Sequence, residues 1–301
     1  MNSTGASINK ISLGTVKLGI PDYGFSSSNE KSKFNALEFL KQAEDLGITK
    51  FDTSPRYGQS EKILGEYIKK SKSIPFISSK IDGLKPNNPQ SPKEMVKSVQ
   101  ASLKNLNKEF LDICYLHQND MEIISDPYVH EGLQYLKSVN LISKSGSSVY
   151  NQNECEYCIE SKIFDFIQVP INVFDLSFYN NYIKNKKTHV CFVARSLFLQ
   201  GILINRSEIE AKILQSNDVL EYLNKFDEIT NNFGLTTLEL GLAYVFSLSG
   251  IDHFIIGTNS INNLIKDIHC LDINLPEHVH ESILKIEPKK SWVNPRNWNE
   301  Y

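Results

Sequence analysis

The chain has 301 residues, 41% of them hydrophobic, and a formal net charge of −3. That is enough apolar material for a large core at a length an α/β barrel reaches as one domain, and a charge so near balance leaves no electrostatic footprint for nucleic acid or an anionic membrane surface. No run of about 18 apolar residues predicts a membrane span, and Met1 to Ser7 lacks the basic and apolar regions of a secretory leader.

In chain order, Ile11 to Gly19 reads as a first short strand, followed by a loop through Pro21-Asp22-Tyr23-Gly24. Lys33 to Leu46 carries Phe34, Leu37, Leu40, Ala43 and Leu46 at helical spacing, with Gly47 as its stop. Phe51-Asp52 closes a second strand; Pro55 and Gly58 mark a tight loop, and Ser60-Glu61 opens a helix with an acidic first turn. Ile74 to Lys80 is the third strand. Ser91-Pro92-Lys93-Glu94 then predicts a helix start with Ser91 as N-cap, Pro92 at the first position and Glu94 at the third. The fourth strand ends at His117, and His130 falls near the start of the next helix, where solvation is expected.

The alternation continues with a fifth strand, Ser143 to Val149, and a helix capped by Asn151. Phe164 to Val169 and His189 to Leu197 are the sixth and seventh strands. Helices around Val219 to Asn232 and Thr236 to Ser249 precede an eighth strand, Phe254 to Gly257, and a helix from Ser260 to Ile268. Eight apolar strands alternating with helices predict a parallel sheet buried on both faces. Closed on itself, that sheet is a (β/α)8 TIM barrel, one α/β domain over residues 1–301. Five cysteines, an odd number without a repeated paired spacing, predict reduced thiols and a cytoplasmic location. Cys155 and Cys158 form a single C-x-x-C match that reads as packing, and the scattered histidines predict no metal site.

Barrel enzymes carry their chemistry at the C-terminal ends of the strands. Asp52, Lys80 and His117 end three successive strands, and neighbouring strands lie about 4.8 Å apart. The three side chains can therefore meet, with Tyr57 brought over them by its loop. A phenol titrates near ~10, and an adjacent ammonium favours its anion. Asp52 would keep Lys80 charged, and His117 can donate a hydrogen bond to an oxygen that Tyr57 protonates. Such a set suits a carbonyl that gains a hydride, and no side chain is a hydride donor, so a nicotinamide cofactor is required.

The same residues carry a family resemblance. Asp52, Tyr57 five residues on, Gly58, Ser60-Glu61 and Leu64-Gly65, with Lys80 and His117 beyond, resemble the aldo-keto reductases from Leu13-Gly14 to the Gly257 segment. The resemblance implies a barrel oxidoreductase reducing an aldehyde or ketone with NADPH, or with NADH. It implies catalytic roles for Asp52, Tyr57, Lys80 and His117. It also places a nicotinamide clasp at Ser148 and Gln168, with Val149 where the family often has Asn. Arg195 stands at a position that often stacks on the nicotinamide, and Ser196, Leu197, Gln200 and Gly201 would border the diphosphate. No G-x-G-x-x-G is present, so a Rossmann site is not supported. A helix opening near Ser260 offers amide donors to a phosphate. Gly257 and Asn263 stand where NADPH-preferring members often carry Lys and Arg, so the grip on a 2′-phosphate is reduced. Thr258 lies between them, and Asp267 occupies the usual adenine-contacting position. The tail with Trp292 and Trp298, facing Tyr23 of the first loop, would cover the mouth and suit a hydroxylated, sugar-like carbonyl compound. Two rivals follow from the same residues: a nucleotide-binding accessory or sensor protein with little turnover, and a lyase forming a Schiff base on Lys80.

Overall fold

A computed structural model describes residues 7–20, 34–118, 120–203, 216–286 and 293. Eight parallel strands close a barrel in the order β1 to β8: Ile11–Gly14, Lys50–Asp52, Phe76–Ile81, Leu111–Leu116, Ile142–Ser148, Phe166–Pro170, Cys191–Arg195 and His253–Gly257. Closure is made by β1 against β8, with Leu13 opposite Ile256 and Gly14 opposite Gly257. The described helices are α1 (Val16–Gly19), α2 (Ala36–Asp45), α3 (Ser60–Ile68), α4 (Ser91–Leu106), α5 (Met121–Ile124) and α6 (Pro127–Ser138). They continue with α7 (Gln152–Glu160), α8 (Ser216–Phe233), α9 (Thr237–Ser247), α10 (Ile261–His269) and α11 (Glu277–Leu284). The expected (β/α)8 barrel is the observed fold. No described helix is long and apolar enough to cross a membrane.

Local chemistry explains most element boundaries. Asn151 and Glu154 form a reciprocal capping box at α7, and Thr236 and Glu239 form another at α9. Asn35 accepts from Glu38 N at the start of α2, and α4 ends at Asn107 in the left-handed conformation, φ 51°. Cys155 and Cys158 are fully buried, and burial pushes both thiols up, Cys158 to about 12, as suits packing residues.

Several expectations need correction. The first strand stops at Gly14 rather than running to Gly19. Thr15 N and Thr15 Oγ1 both donate to Asp52 O at 3.0 Å, and the chain turns there into α1. The third strand begins at Phe76; Ile74, 91% exposed, lies outside it. Ser91 does not cap α4: Gln90 occupies that position, and Asn88 Oδ1 accepts from Gln90 N at 3.0 Å. His130 is half-buried rather than free in solvent. Its Nε2 lies 2.6 Å from Ile124 O and its ring stacks on Tyr157, because α5 folds back over the α6 N-terminus. The Tyr179–Ile183 π-helix and α11 have no counterpart among the elements expected from sequence. Tyr23, Trp292 and Trp298 lie outside the described residues.

The α1 turn has a direct bearing on the strand ends. A Cβ on Gly19 would sit 1.7 Å from Tyr57 O, and one on Gly58, φ 56°, would sit 2.6 Å from Gly19 O. The two glycines allow α1 to press on the loop that carries Tyr57. Ser60 Oγ, donating to Thr15 Oγ1 at 2.7 Å, ties the base of that loop to the end of β1.

Candidate active site

At the strand C-termini lies a cavity of about 1140 Å³, larger than the roughly 300–1,000 Å³ usual for a small-ligand pocket. Asp52, Tyr57, Lys80 and His117 all line it. Lys80 Nζ donates to Asp52 Oδ1 at 2.5 Å and to Thr53 O at 2.9 Å. The pair is buried, with side chains 2% and 6% exposed. Burial alone would lower the Lys80 pKa, but the Asp52 carboxylate and the Tyr57 phenol outweigh it and hold the ammonium above its ordinary value. Asp52 Oδ2 is filled from the other side by Ser78 Oγ at 3.0 Å and Gln168 Nε2 at 2.7 Å. The carboxylate thus has donors on both oxygens, which is the condition for burying such a charge.

Tyr57 stands over this pair. Lys80 Nζ is 5.1 Å from its ring centroid, and the His117 ring meets it edge-on at 6.1 Å. His117 Nδ1 is 3.2 Å from Ser54 Oγ. Burial pulls the His117 pKa down to about 4, and Lys80 and Arg56 act in the same direction. The imidazole is therefore neutral near neutral pH, able to donate and accept one hydrogen bond each. Arg56, from the same loop as Tyr57, pairs with Asp82 just past β3. A phenol, a neutral imidazole and a buried ammonium facing one cavity can stabilise and protonate a developing oxyanion.

The second set of predicted residues extends along the same cavity. Ser148 and Gln168 are register partners on β5 and β6 and both line it. Gln168 Oε1 is buried without a hydrogen-bond partner, its amide nitrogen being spent on Asp52. A buried lone acceptor fits a ligand N–H, and a carboxamide supplies one. Arg195 reaches back toward β5: its guanidinium lies 4.0 Å over the Tyr150 ring and donates to Val149 O at 2.9 Å. Ser196 and Leu197 border the cavity, and Ser196 (φ 60°) and Leu199 (φ 47°) hold left-handed backbone, as functional loops often do. Gly201 lines the cavity as well, whereas the side chain of Gln200 lies outside the described residues.

Gly257, Thr258, Asn263 and Asp267 line the far end. Ser260 is not among the lining residues; its Oγ caps α10, accepting from Asn263 N at 3.4 Å. Two cations without an assignment from sequence also face this end: Lys17 from α1 and Lys266 from α10. Treating residues 11–19 as continuous strand hides Lys17. A Gly-Thr pair followed by a short break is the signal that reveals it. Val293 is buried and lines the cavity.

Asp267 is buried, and burial pushes its carboxyl up to about 7, with Lys17 and Lys266 acting in the opposite direction. In the unfolded chain the group ionises near ~3.9. Between that value and about 7 the folded form holds a proton the unfolded form has lost, so stability falls as pH rises through the window. Asp267→Asn removes this slope. Its melting temperature should exceed that of the wild type by a margin that grows from about pH 5 to about pH 8, equivalent to on the order of a few kcal/mol. A margin independent of pH would count against the buried-acid account.

Comparison with known proteins places this geometry. The aldo-keto reductase YhdN of Bacillus subtilis (strain 168) is 27% identical over 274 residues, spanning 83% of this chain and 81% of that one. L-galactose dehydrogenase of Arabidopsis thaliana is 32% identical over 145 residues, 44% of this chain and 45% of its own. The solved structure of glycerol dehydrogenase AKR11B4 from Gluconobacter oxydans superposes with a TM-score of 0.71, covering 95% of each chain at 18% identity, which speaks to fold alone. Residues 10–288 match the profile of the Aldo/keto reductase family, which takes in all eight strands and every residue of the cluster around Tyr57, and this chain belongs to that family of oxidoreductases.

Proposed function

We propose that this protein reduces an aldehyde or ketone to an alcohol, with Tyr57 as proton donor and NADPH or NADH as hydride source. The observation that carries the reading is the Tyr57–His117 pair standing over the buried Lys80–Asp52 ion pair, at one end of a cavity whose wall holds the lone acceptor Gln168 Oε1. The nicotinamide cofactor, when bound, supplies the hydride. Ser148 and Gln168 would hold its carboxamide and Arg195 would stack on the nicotinamide; Ser196, Leu197 and Gly201 would border the diphosphate, and Thr258, Asn263 and Asp267 the adenosine.

The chain's own residues have the following parts. As negative charge grows on the carbonyl oxygen, the Tyr57 hydroxyl and the neutral His117 face it as hydrogen-bond donors. Tyr57 gives up its proton to that oxygen. The Lys80 ammonium offsets the phenolate charge that results, and Asp52 keeps Lys80 charged and in place. Gln168 and Ser78 hold Asp52 in turn. The same pairing argues against Lys80 as a Schiff-base nucleophile, because an ammonium has no lone pair to attack with. Borohydride trapping with a carbonyl ligand should therefore leave no adduct on Lys80. Native mass spectrometry for bound NADP or NAD, followed by a carbonyl screen, tests the main reading; no dinucleotide binding and no turnover would sink it.

For the substrate we favour a polyhydroxylated, sugar-like carbonyl compound. The relative named L-galactose dehydrogenase supports this class, as does the polar rim that Arg56 and Asp82 add beside His117. Cofactor preference should be modest, since Gly257 and Asn263 bring no charge to a 2′-phosphate. Asn263→Arg is expected to raise the ratio of NADPH to NADH affinity about tenfold, or ~1.4 kcal/mol. Titration by intrinsic fluorescence checks it, and an unchanged ratio would mean that the 2′-phosphate lies elsewhere.

A further inference from the structure

A neutral imidazole carries its proton on one nitrogen, and the other nitrogen can only accept. For His117 the choice is decided by what Nδ1 meets. Ser54 Oγ lies 3.2 Å from it. Ser54 is fully buried at the end of β2, and its oxygen already accepts from Arg56 N at 3.2 Å. The hydroxyl keeps one hydrogen to donate, and His117 Nδ1 is the acceptor it faces.

The competing group is Asp82. Its Oδ2 is 3.9 Å from His117 Nδ1, beyond hydrogen-bond reach, and Arg56 Nε pairs with that same oxygen. Were Asp82 unpaired, its carboxylate would favour a proton on Nδ1. The remaining charges acting on the ring are Lys80, Asp52 and Arg195, and the Tyr57 ring stands against it edge-on.

From these contacts we infer that Ser54 is a positioning residue: its hydroxyl donates to His117 Nδ1, keeps that nitrogen unprotonated and so places the ring proton on Nε2, while Arg56 restrains Asp82 from selecting the opposite tautomer. Nε2–H is then the donor that His117 presents to the cavity. The consequence for turnover rests on the reductase reading; the tautomer itself does not.

Histidine labelled with 15N, with His117→Gln to identify the resonances, reads the tautomer in the full chain without substrate or cofactor. The wild type should show a bare Nδ1 and a protonated Nε2 near neutral pH. Ser54→Ala should move the proton wholly or partly to Nδ1, and Ser54→Thr, which restores a hydroxyl, should move it back. In steady-state assays Ser54→Ala should lose about 10²-fold in kcat, the scale of one oxyanion donor, with cofactor affinity unchanged. Ser54→Thr should stay close to wild type. A protonated Nδ1 in the wild type overturns the inference, and so does a folded Ser54→Ala protein with wild-type tautomer and kcat. If Ser54→Ala fails to fold, the wild-type spectrum together with Ser54→Thr decides. A wild type that turns over no carbonyl would defeat the reductase reading and leave the nitrogen spectra to decide the tautomer.

Discussion

Tyr57→Phe is expected to lower kcat by at least about 10²-fold, the usual scale for loss of a general acid, with fold and cofactor affinity retained. The phenol ring is held by packing that Phe can reproduce: the edge-on contact with His117 and the backbone of its loop, pinned by Gly19 and Gly58. What disappears is the hydroxyl, the one group of the loop that can pass a proton to the substrate oxygen. Single-turnover hydride transfer monitored at the nicotinamide absorbance separates this from slow product release. A Phe variant with wild-type rates would remove Tyr57 from the chemistry and leave His117 as the donor to test next.

Lys80→Met should harm stability and turnover together. It leaves Asp52 buried with its charge uncompensated, and breaking a buried pair from one side costs roughly 3–5 kcal/mol. Turnover should fall at least as far as in Tyr57→Phe, because no cation remains to offset the phenolate. The two effects come apart in the double variant Lys80→Met with Asp52→Asn. Removing both charges should recover much of the stability, since Asn can still accept from Ser78 and Gln168. Turnover should not recover. Urea unfolding read alongside single-turnover rates distinguishes them. A double variant with restored rate would show that the pair is architecture alone.

Both variants change residues that chain order alone brings to one place. Asp52, Lys80 and His117 fall together because apolar strands alternating with helices must wind with one hand and bring successive strand ends to one rim. Asp52 does end β2, while Lys80 sits one residue before the end of β3 and His117 one residue past β4. Tyr57 follows because Pro55 and Gly58 confine its loop to a few residues. Gln168 stands out as an amide in an apolar strand, although its sequence context points it only at a cofactor.

Contacts across the closed barrel are another matter. Gln168 donates to Asp52 from 116 positions away, and that pairing exists only when β2 and β6 face one another across the barrel. Ser54, just past β2, reaches His117, just past β4, across the end of the β3 strand that lies between them, and a serine inside a turn carries no mark of that in sequence. Lys17 and Lys266 face the same cavity end from α1 and from α10 because β1 closes on β8, a pairing of the first strand with the last. His130 reads as solvated in sequence because nothing local announces the short helix that folds over it. The amino-acid sequence by itself determined the eight-unit barrel and the residues at its strand ends, since both follow from local patterning and chain order. Which side chains meet, and with which of their atoms, was decided only by tertiary structure, because register and closure are collective properties of all eight strands.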